Sequence, residues 1–278
     1  MKSKEYIGVI LAAVWLMWLG ACVSSNETVA EKGAKDAPAA DRIQFDYADA
    51  ASLLVASPGQ KQIMTLKEFR VGTGRNRMLI VGVHAEEKDQ ENVGDMVISG
   101  VTLGDRQLTL ISDSEVQFSS MWQGDEYFLK VALYYLINPP SGAHDITVTF
   151  AGPVTSGNVG AISLYNARQA APVNLVTNKQ TKQTDQSKKS EIITKIITKN
   201  DGAWVVDIVA CVKKSLLETK TKDHLRRFSA LEKSGSSSSL AGGTLSVLTA
   251  GEVTLHWVQL RLTINRLAHV AVEVAPYK

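Results

Sequence analysis

Most of the usual signposts of chemistry are missing from this chain. It has only two cysteines, Cys22 and Cys211, in 278 residues. Neither charge dominates: 30 Lys plus Arg stand against 28 Asp plus Glu, so nothing argues for nucleic acid or for a polybasic membrane patch. No HExxH, CxxC or GxSxG occurs, and Gly72-Thr73-Gly74 lacks the rest of a phosphate-binding loop. His84, His144, His224 and His269 lack the spacing of metal ligands. The body shows no helical period of convincing length, which speaks against a parallel α/β fold. After the N-terminus no second long apolar run appears, so the body is expected to fold in water.

The N-terminus is the most explicit part of the sequence. Lys2 and Lys4 precede an apolar run from Ile7 to Leu19, too short to span a bilayer comfortably. The run ends in Leu19-Gly20-Ala21-Cys22, which resembles the lipobox of bacterial lipoproteins. That resemblance implies diacylation of Cys22 and cleavage before it, making residues 1–21 a signal peptide. Several acyl chains on one cysteine supply the two or more needed for stable anchoring. Val23 follows where an aspartate would imply inner-membrane retention, which favours the outer membrane. Residues 22–42, rich in Ser, Ala, Glu, Lys and Asp, read as the lipidated cysteine and a disordered tether that cannot bury enough surface to offset its ordering entropy. With Cys22 acylated, Cys211 has no disulfide partner and reads as a buried structural thiol.

Residues 43–278 form a series of short β-branched and aromatic runs broken by turn residues. Strands are expected near 43–47, 62–71, 78–86, 95–103, 106–112, 127–137, 144–150, 159–165, 191–199, 203–212, 226–232, 240–248, 253–264 and 269–275. The run 253–264 alternates over much of its length, as a sheet with one wet face would. Within it His256 and Trp257 must point to opposite faces. Leu103-Gly104-Asp105-Arg106 signals a hairpin, and Asn138-Pro139-Pro140-Ser141-Gly142 a strand break. Residues 114–123 read as a loop or short helix, 215–227 as a helix-like patch, and 177–190 and 234–239 as exposed loops. The expected fold is all-β: a single antiparallel two-sheet β-sandwich, jelly-roll-like, over residues 43–278.

Several runs carry a family resemblance: Asn76-Arg77-Met78-Leu79-Ile80-Val81-Gly82-Val83, Val101-Thr102-Leu103-Gly104, Leu133-Tyr134-Tyr135-Leu136-Ile137-Asn138-Pro139-Pro140-Ser141-Gly142, Ile146-Thr147-Val148-Thr149-Phe150 and Ala268-His269-Val270-Ala271-Val272-Glu273-Val274. Together they resemble a β-sandwich domain of large secreted and surface proteins of bacteria, across roughly residues 60–278. The resemblance implies a fold and no catalytic residues. Where that family often has two glycines this chain has Gly104-Asp105, and aspartate tolerates the turn conformation.

Two segments are candidate sites. Trp122, Gln123, Asp125 and Tyr127 combine aromatic faces with polar groups, a pattern suited to sugar rings and their hydroxyls. Glu86, Glu87, Asp89, Glu91 and Asp95 supply oxygen ligands for Ca²⁺ from what reads as an acidic loop, the one cofactor considered. For a glycan-processing enzyme the least implausible acids are Glu126 with Asp125 or Glu115, a poor set because strand neighbours point apart. The expected function is a lipid-anchored cell-envelope module that binds or builds without catalysis. Its partners are the bilayer and a polysaccharide or envelope protein, with surface assembly or adhesion as the alternative.

Overall fold

The computed structural model describes residues 42–53, 62–88, 90–122, 125–180, 190–212, 215–230, 238–260 and 266–278. Ten strands come first: β1 (Gln44–Leu53), β2 (Ile63–Val71), β3 (Met78–Glu87), β4 (Ile98–Leu103), β5 (Arg106–Gln107), β6 (Thr109–Leu110), β7 (Val116–Trp122), β8 (Asp125–Ile137), β9 (Gly142–Phe150) and β10 (Ser156–Tyr165). Eight follow: β11 (Val173–Gln180), β12 (Glu191–Ile197), β13 (Ala203–Cys211), β14 (Leu217–Thr219), β15 (Leu225–Ser229), β16 (Ser239–Val247), β17 (Glu252–Gln259) and β18 (Leu267–Val274). A 3₁₀ helix, Gln90–Met96, links β3 to β4. The fold is an all-β antiparallel sandwich, and it holds four sheets where the sequence reading had two.

Those sheets repeat one plan. The first large sheet runs β1-β10-β3-β8-β6 with β7 also on β8, and its small companion runs β2-β9-β4-β5. The second large sheet runs β11-β18-β13-β16-β15, and its companion runs β12-β17-β14. Each strand of the second pair stands where its counterpart stands in the first. Local bonds repeat too: Phe150 N donates to Gln62 O, and Gln259 N donates to Ser190 O in the equivalent place. All the described residues lie within one contact unit, Asp36–Lys278.

Core residues show how the sheets stack. Along β3, Met78 and Ile80 join a cluster with Val206, Ile208 and Val270, between the two large sheets. The alternate residues Leu79, Val81, Val83 and Ala85 join Met64, Leu66, Ile146 and Val148, between the first large sheet and its companion. Two further clusters lie between the second large sheet and its companion, around Trp257 and around Leu255. Central strands are therefore covered on both faces, and all ten residues of β3 are buried. This is why their sequences read as unbroken apolar runs instead of alternating.

Close approach of the large sheets depends on glycines. A Cβ on Gly160 would stand 2.0 Å from the Phe228 ring, and one on Gly242 would stand 2.3 Å from the same ring. Phe228 thus lies between a strand of each half. The sequence reading missed β7, β11 and β14, which replace the expected loop at 114–123, the start of the polar stretch 177–190 and part of the helix-like patch. Polar edge strands carry little apolar signal, so propensity alone hides them. In the β4–β5 turn the left-handed position belongs to Gly104 (φ 56°), and Asp105 does not occupy it.

Candidate functional site

The two segments singled out in sequence meet at one end of the first large sheet. Register pairs Glu86 with Leu129 and Glu87 with Phe128, bringing the end of β3 beside the β7–β8 hairpin. Lys88 Nζ reaches Asp125 Oδ2 at 3.0 Å. The acidic segment is no loop: Glu86 and Glu87 end strand β3, 1 % and 4 % exposed, and Glu91 and Asp95 lie in the 3₁₀ helix. Successive strand residues face opposite ways, which separates Glu86 from Glu87. Glu87 accepts bonds from Lys88 N at 2.8 Å, Thr155 N at 3.1 Å and Thr155 Oγ1 at 2.7 Å. Among the described residues no group of three His, Cys, Asp or Glu side chains is placed to hold a metal ion.

Of the aromatic set, Tyr127 is 8 % exposed and belongs to the central core. Its ring therefore offers no open platform to a sugar. Trp122 pairs through its backbone with Asp125. Gln123, Asp89 and Cys22 lie outside the described residues. Glu115 pairs with Lys130 at 2.9 Å, so Glu115 and Asp125 each have a lysine partner.

Next to Glu86 on the same face of β3, His84 is fully buried. Asn158 Nδ2 donates to His84 Nδ1 at 3.1 Å and to Ser238 Oγ at 3.0 Å, and the Ser156 and Ser238 hydroxyls are 2.7 Å apart. With Nδ1 accepting, the ring proton sits on Nε2, which has no hydrogen-bond partner among the described residues. Burial drives the His84 pKa down to about 3, keeping the ring neutral. Cys211 is also buried, and burial raises its thiol pKa to about 12, against hydrogen bonding to Ser239. Such a thiol is structural.

A third cluster had no motif in the sequence. Asp207, at the centre of β13, is fully buried. His224 Nε2 donates to its Oδ1 at 2.9 Å, while His269 Nε2 and Trp257 Nε1 donate to its Oδ2 at 2.8 and 2.6 Å. Thr194 Oγ1 lies 2.7 Å from His269 Nδ1, and Asn178 Nδ2 donates to Thr194 Oγ1 at 3.2 Å. The His224 ring meets Trp257 edge-on at 5.2 Å. Burial alone would raise the Asp207 pKa; charge and hydrogen bonds from His224, then His269, outweigh it and hold the carboxyl well below its usual range.

Register across the repeat shows which residues hold the equivalent positions in the first half. Val81 pairs with Ala161 in β10 as Asp207 pairs with Ala271 in β18. Val83 and Val159 pair as Val209 and His269 do. Leu66 with Ile146, and Met64 with Val148, match Thr194 with Leu255, and Ile192 with Trp257. So Thr194, Asp207, Trp257 and His269 stand where the first half has Leu66, Val81, Val148 and Val159, all buried. The order hydroxyl–imidazole–carboxylate matches a nucleophilic relay, but Thr194 is 3 % exposed and faces the core. The network ties the second large sheet to its companion. Its only sequence signal is one aspartate inside an apolar strand run, Val205-Val206-Asp207-Ile208-Val209.

Compared with known proteins, the chain matches no family model and no curated relative.

Proposed function

We propose that this protein is a lipid-anchored bacterial cell-envelope module that acts by binding a partner and performs no catalysis. The observation that carries this is the pairing of an N-terminal Leu19-Gly20-Ala21-Cys22 with an all-β body whose suggestive polar clusters are buried. Asp207, His224, His269 and His84 are all 5 % exposed or less, and they organise cores. Acylated Cys22 holds the chain on the bilayer, in the outer membrane in preference to the inner, with residues 22–42 as tether. The partner is a polysaccharide or another envelope protein. The burial of Tyr127 removes part of the support for sugar stacking and shifts weight toward a protein partner.

Metabolic labelling with an alkyne-bearing fatty acid tests the anchor: Cys22→Ser should abolish labelling and release the chain from membranes. Unchanged membrane fractionation of that variant would refute lipid anchoring. A glycan array and polysaccharide pull-down with residues 43–278, with and without Ca²⁺, tests the sugar partner, and calcium dependence would implicate the segment Glu86 to Asp95. Surface assembly is the second reading, favoured by Ile193 and Ile197, 50 % and 63 % exposed on edge strand β12. It requires a molecular mass that rises with concentration in light scattering.

A further inference from the structure

The two large sheets meet along two lateral seams, and the repeat makes these seams counterparts. In one, β1 lies against β15, and the chain fills the space itself. The Arg227 guanidinium stands 4.1 Å from the Phe45 ring centre and 5.7 Å from that of Trp204, and its Nε donates to Thr244 Oγ1 at 2.7 Å. In the other, β7 lies against β11. Tyr135 occupies the place of Thr244: it pairs with Ile80 in β3, as Thr244 pairs with Val206 in β13. Among the described residues no arginine stands over its ring.

Two hollows follow one another along this second seam. One, about 300 Å³, is walled by Leu110, Ile111, Tyr135, Pro172 and Leu175. The next, about 310 Å³, is lined by Glu115, Gln117, Thr177, Asn178 and Lys179. Leu110 and Val173 at the first are 38 % and 39 % exposed.

We propose that this seam takes an extended polypeptide segment of a partner protein, added as a strand along β11. The proposal deepens the binding function above and rests on it. Three observations support a peptide. First, the seam continues the interface between the two halves, since Ile111 and Val116 belong to the central core and Tyr135 and Leu175 pack on it. Second, among the described residues β7 pairs only with β8 and β11 only with β18, so both bordering strands present open edges to a backbone. Third, at the counterpart seam β15, the equivalent of β7, drives the Arg227 side chain between the sheets, so the space is one that a long side chain carried by a strand can fill.

The lining specifies the occupant. Leu175 and Lys179 are four residues apart on the same face of β11, about 13 Å along a strand. Glu115 is occupied by Lys130, and among the described residues lining the polar hollow Lys179 supplies the cation. The segment therefore carries an apolar side chain for the first hollow and, four residues along, a carboxylate for Lys179.

A phage-displayed library of linear dodecamers, selected on the detergent-solubilised full chain, provides the probe. Enriched peptides should share an apolar and an acidic residue at that spacing and should bind with measurable fluorescence anisotropy. Lys179→Glu, a surface change, should weaken them at least tenfold, and exchanging the peptide's acid for lysine should restore binding to that variant. Leu175→Arg should weaken them as much, with an unaltered near-ultraviolet circular dichroism spectrum. No enrichment, or enriched peptides indifferent to both variants, would overturn the strand proposal. So would competition at the seam by a soluble polysaccharide without peptide binding. A positive glycan array with no peptide binding would leave the binding function standing while removing this site; failure of both would remove both.

Discussion

Replacing Asp207 with asparagine should be among the most damaging single changes in the molecule. The carboxylate accepts three hydrogen bonds at 2.6–2.9 Å, from two imidazoles and an indole, with no exposure to water. Asparagine keeps one acceptor oxygen and turns an NH₂ group toward N–H donors, so at least one donor is left buried and unpaired. Removing one partner from a buried ionic network costs about 3–5 kcal/mol. With a urea m-value of about 2–3 kcal/mol/M, the unfolding midpoint should fall by between about 1 and 2.5 M. The first half supplies the control, because its equivalent positions are Leu66, Val81, Val148 and Val159. An apolar exchange of the carboxylate and its three donors (Asp207→Val, His224→Leu, Trp257→Phe, His269→Leu), with Thr194→Leu for the hydroxyl that His269 leaves, should recover most of that loss, since well-packed apolar side chains often match or exceed a buried ionic cluster. The assay is equilibrium urea unfolding followed by tryptophan fluorescence and circular dichroism together. A loss below about 1 kcal/mol for Asp207→Asn would refute the view that an ionised carboxylate organises this core.

Acid should destabilise the protein through His84. Its pKa lies near 3 when folded against 6.5 when unfolded, so the unfolded chain binds the extra proton and stability falls as pH drops from about 6.5 toward 3. Between pH 7.5 and pH 5 the loss is about 2 kcal/mol; His84→Asn should flatten the pH profile by that amount, and an unchanged slope would count against a neutral buried ring. Gly160→Ala should cost about 1–3 kcal/mol, because its methyl would occupy the Phe228 ring position. Adding Phe228→Leu should make the alanine's cost smaller in a double-mutant cycle, and simple additivity would disprove their contact. Arg227→Lys should destabilise by about 1 kcal/mol or more, read as a shifted midpoint, since lysine loses the planar stack on Phe45 and the bond to Thr244.

Much of the fold was legible where side-chain chemistry is periodic or punctuated. The runs at Met78–Glu87, Ala203–Cys211 and Leu267–Val274 announced themselves as strands, and His256 and Trp257 do face opposite ways, Trp257 into the core and His256 toward Glu191 at 2.8 Å. Short polar edges such as β11 and β14 did not, because an edge strand is held by backbone bonds to a neighbour that local composition does not name. The acidic segment misled for a similar reason. Glu86 and Glu87 look like the start of a loop, but register with Leu129 and Phe128 makes them the end of a buried strand.

Sequence alone determined the class of the body, all-β and antiparallel, because β-branched alternation, glycine turns and the absence of a helical period are local properties of the chain. Tertiary structure decided the rest. Only strand order revealed one plan used twice, since each strand's neighbours lie far away in the chain. Only stacking of the second large sheet on its companion brought Trp257 to Asp207 beside His224 and His269, and only stacking of the two large sheets left a seam open beside β11. Both depend on long-range register: a hydrogen bond between residues 62 positions apart, such as His269 to Asp207, leaves no periodic trace in the segment that carries either end.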